Sequence, residues 1–393
     1  MKVLHILDLS LPDLKGYAIR AKGIVESQKK IGMEPVCLTS FRQTKYDGER
    51  EVINNIVYYR SGRFKTRWKI PFLNQFDEIA ALSKKIDYVI EQEKVDILHA
   101  HSPLLCGMAA VRAGKKHCLP VVYEIRAFWE DAAVSSGKSS EGDLRYMTTR
   151  FLETLVCKRA DNVVAICEGI KRDLLERGIN NDKIAVVPNG IVLDEFRELT
   201  RSTTLAKKHE LDGFFVLGFI GSFFKFEGVD LLVMLMNELR HEPVKLVLVG
   251  EGETFYKIRT MVEELGLLDR VIMTGNVPHA EVQEYYSIVD VLIYPRYSER
   301  ITELTTPLKP LEAMAMRKNV IISDVGGLME LVPEGCGEVF AAGDVASLLA
   351  KVKRVISMEN LRQSMIKNAS AFVVTRDWLE VVNTYRDVYQ GIS

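Results

Sequence analysis

The chain has 393 residues, with 52 Lys and Arg against 53 Asp and Glu, so its formal net charge is −1. This balance gives no global attraction to nucleic acid, and the length predicts two or three domains. Hydrophobic residues make up 47%, which is typical of a soluble protein with large cores. The cysteines are scattered without C-x-x-C spacing, and no apolar run is long enough to span a membrane, so we expect a cytoplasmic location.

Short apolar runs alternate with helix-period segments through about the first 180 residues. Such alternation predicts a mostly parallel sheet with helices on both faces. The predicted strands are Val3–Leu7, Pro35–Thr39, Val95–His99, Val121–Ile125 and Val163–Ile166, and the predicted helices are Ala18–Ile31, Ile79–Gln92, Leu105–Lys116 and Leu152–Ala160.

A second cycle of strands and helices begins after residue 190. Its predicted strands are Phe215–Ile220, Lys245–Val249, Val271–Thr274, Val291–Tyr294 and Val320–Ile322, and its helices are Leu231–Leu239, Thr254–Leu265 and Leu308–Met316. The polar segment Arg201–Asp212 suits a linker. We therefore expect one doubly wound domain over residues 1–190 and another over 191–375. A last helix, Trp378–Tyr389 within 376–393, could pack on either half or cross back to the first domain.

Glycines follow several strands of the second half, and ligands of parallel sheets bind beyond the carboxyl ends of strands. These glycines are Gly221, Gly250, Gly252, Gly326 and Gly327. Each alone is more often a plain turn than a phosphate contact, but three such loops in one half favour a nucleotide crevice. The chain has no G-x-G-x-x-G after its first strand and no G-x-x-x-x-G-K-[ST], which disfavours dinucleotide oxidoreductases and P-loop enzymes.

The densest polar stretch, residues 294–314, follows a predicted strand and opens a helix. Arg296, Arg300 and Lys309 could neutralise a diphosphate, because guanidinium and ammonium groups both bind phosphate. Glu312, in the first turn of the helix, could accept hydrogen bonds from a ribose diol. The structural alternative is that Glu312 only complements the helix N-terminus while the cations solvate a loop.

These motifs, taken in order, resemble the retaining family-4 glycosyltransferases of the GT-B fold. The matching segments are 187–191, 221 with 227–230, 248–252, 269–275, 311–315 and 323–330 in the second half, with 99–102 and 122–130 in the first. The first-half motifs resemble a branch associated with bacterial polysaccharide and exosortase gene clusters.

The resemblance implies two Rossmann-like domains facing a cleft, in an enzyme of bacterial polysaccharide synthesis. The second domain would bind a UDP- or GDP-linked sugar, and the first a glycan or lipid-linked glycan acceptor. Retention would come from front-side attack without a cofactor. The absence of a D-x-D sequence and of a His/Cys cluster with metal spacing favours metal-free transfer. The implied donor-binding residues are Gly16, Gly221, Ser222, Gly250, Gly252, Arg296, Arg300, Thr305, Lys309 and Glu312, and the implied catalytic residues are His101, Arg126 and Glu303.

The chain departs from the family pattern at three positions. The first of two glutamates eight residues apart is Leu304 here, and Glu303 lies one residue away. Either a local bulge brings Glu303 to the sugar, or Thr305, Thr306 and backbone N–H groups replace it. The usual phosphate-binding Arg and Lys are Ser222 and Glu227.

Two other functions stay open at this point: a non-catalytic relative that binds a nucleotide sugar or glycan, and a sugar-nucleotide epimerase of the same architecture. Residues 58–69 interleave cations with aromatics. They could form a solvated loop, or dock on an anionic membrane and place the protein peripherally on the inner face of the cytoplasmic membrane. Stacking on single-stranded nucleic acid is a third use of such a segment, but no nucleic-acid partner is expected.

Overall fold

The computed structural model describes residues 1–13, 16–64 and 71–392. The chain divides into two compact units, one comprising Met1–Gly190 with Trp378–Ser393 and the other Ile191–Asp377. The last helix therefore belongs to the first unit. Each unit is a parallel α/β sheet with its own core, as the alternating sequence pattern predicts.

The strands of the first unit are β1 (Lys2–Leu7), β2 (Glu34–Thr39), β3 (Arg50–Ile53), β4 (Ile56–Arg60), β5 (Ile97–His101), β6 (Val121–Ile125), β7 (Asn162–Ala165) and β8 (Ile184–Val186). Within the described residues these eight strands form one sheet in the order β3-β4-β2-β1-β5-β6-β7-β8. All neighbours pair in parallel except the hairpin β3–β4, which the sequence analysis missed because its outer strand is short and polar. Strand order reverses between β1 and β5, so the loops after these strands flank a crevice.

The helices of this unit's main segment are α1 (Gly16–Lys30), α2 (Pro71–Glu93), α3 (Leu104–His117), α4 (Trp129–Ser135), α5 (Leu144–Arg159) and α6 (Glu168–Glu176). Strands β5 and β6 are buried along their whole length, as parallel strands covered on both faces must be. Their polar residues are therefore desolvated, and each needs a partner inside the protein.

The strands of the second unit are β9 (Phe215–Ile220), β10 (Val244–Val249), β11 (Val271–Gly275), β12 (Val291–Tyr294), β13 (Asn319–Ser323) and β14 (Glu338–Phe340). They form a parallel sheet in the order β11-β10-β9-β12-β13-β14. Its helices are α7 (Thr203–Lys208), α8 (Val229–Glu238), α9 (Phe255–Glu264), α10 (Val282–Ile288), α11 (Arg300–Leu304), α12 (Lys309–Ala315), α13 (Gly326–Met329), α14 (Val345–Ser357) and α15 (Glu359–Val374). Strand order reverses between β9 and β12, so the loops after these two strands mark the binding edge of this sheet.

The predicted linker Arg201–Asp212 is wrong, because it contains α7 and packs into the second unit. The Ser202 side chain accepts the Leu205 N–H at the start of this helix. Ala206 and Leu211 are buried in the core of the second unit. Together with half-buried Leu205, which packs against the same core, these residues dock a short helix whose remaining side chains are polar.

The last helix, α16 (Trp378–Gln390), packs against α1 in the first unit. A β-carbon built on Gly23 would lie 2.2 Å from Nε1 of Trp378, so α1 needs a glycine where the indole lies. The inner face of α16 carries Tyr385 and Tyr389, which are fully buried. None of the helices formed by residues 1–13, 16–64 and 71–392 is both long and apolar enough to cross a membrane.

The prediction of a surface patch over residues 58–69 is wrong for its first three members. Tyr58, Tyr59 and Arg60 lie in β4 and are buried. Arg60 donates to Glu51 Oε1 at 2.5 Å and to the Ser10 hydroxyl at 2.6 Å. Residues 65–69 of that patch lie outside the described residues.

Candidate functional site

The first unit gathers polar side chains where β1, β5 and β6 end. His101 is the last residue of β5, Glu124 lies in β6, and Arg126 follows β6 directly. Gly16 begins α1, the helix that follows β1. The structure therefore brings the predicted residues Gly16, His101 and Arg126 to one edge of one sheet. It adds Glu124, which the sequence analysis noted only as part of a motif.

Glu124 is the anchor of this cluster. Its Oε1 accepts from Nε of Arg20 at 3.1 Å and from Nε of Arg126 at 2.8 Å, and the Tyr385 hydroxyl donates to its Oε2. Burial of the Glu124 carboxyl would raise its pKa, but the charges of Arg20 and Arg126 outweigh burial and hold the pKa well below its usual range. The carboxylate is therefore ionised and balances two buried guanidinium groups.

Arg20 ties this carboxylate to the end of the main segment of the first unit. Its two Nη atoms donate to the Val187 carbonyl, the Pro188 carbonyl and the Asn189 Oδ1, each at 2.9 Å. The conspicuous Val187–Gly190 motif therefore supplies acceptors to a buried arginine. No local sequence signal links Arg20 to these residues, because they lie more than 160 positions apart.

Arg126 links the loop after β6 to the first turn of α1. Its Nη1 donates to the Tyr17 carbonyl at 2.6 Å, its Nη2 lies 2.6 Å from Nδ1 of His101, and its guanidinium lies 4.2 Å from the Tyr17 ring centroid. Only 8% of Arg126 is exposed. Its planar group is thus held in one orientation beside Gly16.

The protonation of two histidines follows from these contacts. Nδ1 of His101 lies 2.6 Å from Nη2 of Arg126 and 3.2 Å from Oε1 of Glu124. The guanidinium only donates and is the nearer partner, so we assign Nδ1 as its acceptor and place the ring proton on Nε2. That proton is donated to Nδ1 of His5 at 2.9 Å, and Nε2 of His5 then donates to Oε1 of Gln28 at 2.8 Å. Burial and then the charge of Arg126 lower the pKa of His101 to about 4, while burial and then His101 lower the pKa of His5 to about 3. Both rings are neutral at physiological pH.

His101 has a different place from the one the sequence analysis predicted. The side chain is fully buried, and both ring nitrogens are bonded within the protein. The structure therefore gives His101 the role of holding Arg126 rather than that of contacting a sugar directly.

Three imidazoles in this cluster, from His5, His99 and His101, have nitrogen atoms within 4.8 Å of one another. A metal ion needs their in-plane lone pairs to converge. The rings of His99 and His101 instead stack at 4.2 Å with an interplanar angle of 25°, so their planes do not meet near a common point. Arg20 and Arg126 also place two positive charges beside the group. The cluster is suited to hydrogen bonding rather than to holding a divalent cation.

The second unit places Lys309 and Glu312 together at the start of α12. Nζ of Lys309 lies 2.9 Å from Oε2 of Glu312, and the Tyr286 hydroxyl donates to the same oxygen at 3.0 Å. Glu312 is 6% exposed, whereas the Lys309 side chain is 36% exposed. Burial, and then the Glu312 charge, raise the pKa of Tyr286 well above its usual value, so this phenol stays a donor.

Arg296 is not available to a phosphate in the way the sequence analysis predicted. Its Nε and Nη2 donate to the two carboxylate oxygens of Glu227 at 3.1 and 2.7 Å, a paired geometry typical of strong Arg–carboxylate contacts. Glu227 stands where the family pattern has a lysine. The arginine therefore neutralises this glutamate.

The glycines of the second unit allow close approach of the loops after β9, β10 and β12. Gly250 has φ +129, and a β-carbon there would lie 1.9 Å from the Gly221 carbonyl oxygen. Gly228 has φ +68, and its β-carbon would lie 2.0 Å from the Pro295 carbonyl oxygen. These glycines shape the edge of the sheet by packing backbone against backbone. Ser222, beside them, is exposed.

Glu303 caps a neighbouring helix. One carboxylate oxygen accepts the Gly326 N–H at 2.7 Å, and the other accepts the Ser298 hydroxyl at 2.7 Å. Gly326 and Gly327 begin α13, and a β-carbon on either would collide with the carbonyl oxygens of residues 302–305. These two glycines therefore serve the packing of α13 on α11, which Arg300 begins. The Thr305 carbonyl lies 3.4 Å from Nη1 of Arg296.

Comparison with known families matches both units. The model of glycosyltransferase family 4 matches residues 16–195, and the model of glycosyl transferases group 1 matches residues 201–372. The chain belongs to the glycosyltransferases.

Relatives of this glycosyltransferase are distant in sequence but similar over nearly the whole chain. The GPI3 subunit of phosphatidylinositol N-acetylglucosaminyltransferase from Saccharomyces cerevisiae is 22% identical over 99% of this chain and 82% of its own length. Anabaena HepE in complex with UDP covers 100% of both chains at 16% identity, with a TM-score of 0.77. Sucrose-phosphate synthase from Thermosynechococcus elongatus has a TM-score of 0.78 at 19% identity, over 99% of this chain and 98% of that one. These structures confirm the predicted GT-B fold of two Rossmann-like domains.

The buried carboxylate of Glu124 should dominate the stability of the first unit of the glycosyltransferase. Glu124→Gln leaves Arg20 and Arg126 without a counter-charge, and we expect it to lower the free energy of unfolding by about 3–5 kcal/mol. Urea denaturation measures this. The matched control is Glu338→Gln, whose partners Lys351 and Arg354 are 32% and 49% exposed. Solvent screening should limit that loss to about 1 kcal/mol. Equal losses for the two variants would contradict this account of the cluster.

The pairing of Arg296 with Glu227 predicts strong coupling between these residues. In a double-mutant cycle with Arg296→Ala and Glu227→Ala, we expect a coupling energy of about 1–3 kcal/mol, because the two contacts are paired and largely buried. The exposed pair Arg259–Glu263 is the control and should couple by about 0.5 kcal/mol or less. Additive effects of the two alanine substitutions would show that Arg296 is not neutralised by Glu227.

Proposed function

We propose that this glycosyltransferase moves a sugar, with retention of its anomeric configuration, from a UDP- or GDP-linked donor to a glycan or lipid-linked glycan in bacterial polysaccharide synthesis. The observation that carries the proposal is the pairing of Lys309 with Glu312 beyond the end of β12. It places a partly exposed cation and a carboxylate on one helical turn, at the binding edge of a nucleotide-type sheet.

Lys309 and Glu312 are suited to different parts of a nucleotide sugar. Both hydrogen bonds to Glu312 converge on Oε2, so we assign Oε1 to the ribose hydroxyls. We assign Lys309 to the diphosphate, with Arg300 as the second cation. Anabaena HepE has been solved with UDP and with UDP-glucose, which supports a uridine nucleotide as the first donor to test here.

In the first unit, Arg126 is the candidate for contact with the transferred sugar or its phosphate. Its orientation is fixed by Glu124, the Tyr17 carbonyl and His101, so little reorganisation is needed when negative charge develops nearby. Gly16 leaves the start of α1 without a side chain at its first residue. His101 acts as a positioning residue.

The proposed reaction needs no covalent sugar–enzyme intermediate, metal ion or further cofactor. The acceptor hydroxyl oxygen forms a bond to the anomeric carbon on the face from which the diphosphate departs. The bond between that carbon and the phosphate oxygen breaks, and the hydroxyl proton passes to the departing phosphate oxygen. Fixed cations stabilise the charge that grows on this leaving group, which is the role that a metal ion has in other enzymes.

The names of two relatives support a phosphorylated or lipid-linked acceptor. The yeast relative is named for phosphatidylinositol. A D-inositol 3-phosphate glycosyltransferase from Nocardia farcinica is 28% identical over 63% of this chain and 55% of its own length. A lipid-linked acceptor would place this enzyme peripherally on the inner face of the cytoplasmic membrane.

Removing either member of the proposed donor pair should weaken nucleotide binding. We expect Lys309→Ala and Glu312→Ala each to lower the affinity for UDP or GDP about tenfold or more, because each deletes a charge-assisted contact. Titration calorimetry measures this after a thermal-shift screen with UDP, GDP, ADP and CMP. Lys351→Ala, which removes another half-exposed lysine paired with a buried glutamate, is the matched control.

Unchanged nucleotide affinity in both variants would refute the donor-site assignment. Transfer is tested separately, with the preferred nucleotide sugar and a panel of glycan and lipid-linked acceptors. Tight donor binding with no turnover on any acceptor would favour the non-catalytic relative over the enzyme.

A further inference from the structure

Helix α5 carries large apolar side chains on its solvent side. Leu144 is 84% exposed, Met147 55% and Phe151 66%. They are spaced three and four residues apart, and half-buried Leu155 continues the series, so all four lie on one stripe of the helix. Scattered apolar residues on a surface need no explanation, but an ordered stripe on one helix face does.

The core of the first unit does not use this stripe. The inward face of α5 is formed by Tyr146, Glu153, Val156 and Cys157, all of them buried. The helix is therefore apolar on two opposite sides, and only one of them is packed. We call Leu144, Met147, Phe151 and Leu155 the outer stripe. Packing within the first unit does not account for it, so we expect a binding partner to cover it.

A groove of about 960 Å³ continues from the outer stripe across α3 and α2. Leu155 belongs to both features. Its lining includes the apolar residues Met108 and Val111 of α3 and three cations, Arg112, Lys115 and Arg159. Apolar surface and positive charge thus lie next to each other on the same side of the first unit.

The charges near the outer stripe are mostly positive. Arg145, Lys158 and Arg159 of α5 are exposed, whereas the one carboxylate in this helix, Glu153, is fully buried. Asp161 beside the groove accepts the Val121 N–H. An exposed apolar stripe flanked by lysine and arginine is the pattern of helices that lie in the interface of an anionic membrane.

We propose that α5 and the groove beside it form a docking surface for an anionic lipid bilayer. The outer stripe would insert among the headgroups and acyl chains, while Arg112, Lys115 and Arg159 meet lipid phosphates. A second copy of the chain is a poorer occupant, because a symmetric interface through this face would bring the same cations against each other. The proposal does not rest on the proposed glycosyl transfer, and vesicle binding is measured without it.

The test is flotation of the full chain with vesicles of phosphatidylcholine alone or mixed with phosphatidylglycerol. We expect binding to the mixed vesicles that weakens with salt, and little binding to pure phosphatidylcholine. Leu144→Ser/Met147→Ser/Phe151→Ser should lower the partition coefficient about tenfold or more, and Arg112→Glu/Lys115→Glu/Arg159→Glu should do the same. All six substituted residues are exposed, so thermal melting should show that both variants stay folded.

Matched controls come from exposed residues of the second unit. The apolar control is Tyr256→Ser/Leu268→Ser/Met329→Ser, and the charge control is Lys257→Glu/Lys353→Glu/Lys367→Glu. Both should bind mixed vesicles like the unaltered protein. The proposal is overturned if the unaltered protein does not bind mixed vesicles, or if the controls lose binding as much as the α5 variants. A different result would also overturn it: sedimentation shows that the unaltered chain dimerises and the triple serine variant does not, while that variant still binds vesicles.

Discussion

The first unit depends on one buried ion cluster in which Glu124 balances Arg20 and Arg126. Two guanidinium groups cannot be buried without a counter-charge, and only an ionised carboxylate supplies it here. Arg20 bonds the cluster to residues 187–189, near the end of the unit's main segment. Tyr385 bonds the last helix, α16, to Glu124. Through Arg126, the cluster fixes the start of α1. The same interaction therefore holds together distant parts of the chain and orients the residue best placed to meet a substrate.

In the second unit, separate ion pairs neutralise the buried charges. Glu227 stands where a cation is expected, and Arg296 from the loop after β12 neutralises it. Lys309, by contrast, is half-exposed and shares Glu312 with Tyr286. In both units, a carboxylate organises cations at the carboxyl ends of parallel strands. The first buries its carboxylate completely, whereas the second leaves a cation partly open to solvent.

The sequence was sufficient to predict the alternating fold, because the spacing of apolar residues along the chain is a local signal. It could not predict which polar residues meet. Arg20 and Val187, or Glu227 and Arg296, are joined only by topology. Helix α7 was missed because it is short and Ala206 is the one buried residue in it. His101 was expected to face a ligand, since nothing in the string of residues reveals that both of its nitrogens are bonded inside the protein.

The central claim is that Arg126 fixes the protonation of His101 and His5 within a neutral chain of hydrogen bonds. NMR of isotope-labelled histidine reports ring tautomer and titration for each residue. The account predicts that both rings carry their proton on Nε2 and stay neutral from about pH 8 to about pH 5. A His101 ring that titrates near its usual pKa, or that carries its proton on Nδ1, would contradict it, because Arg126 could then not be held as described.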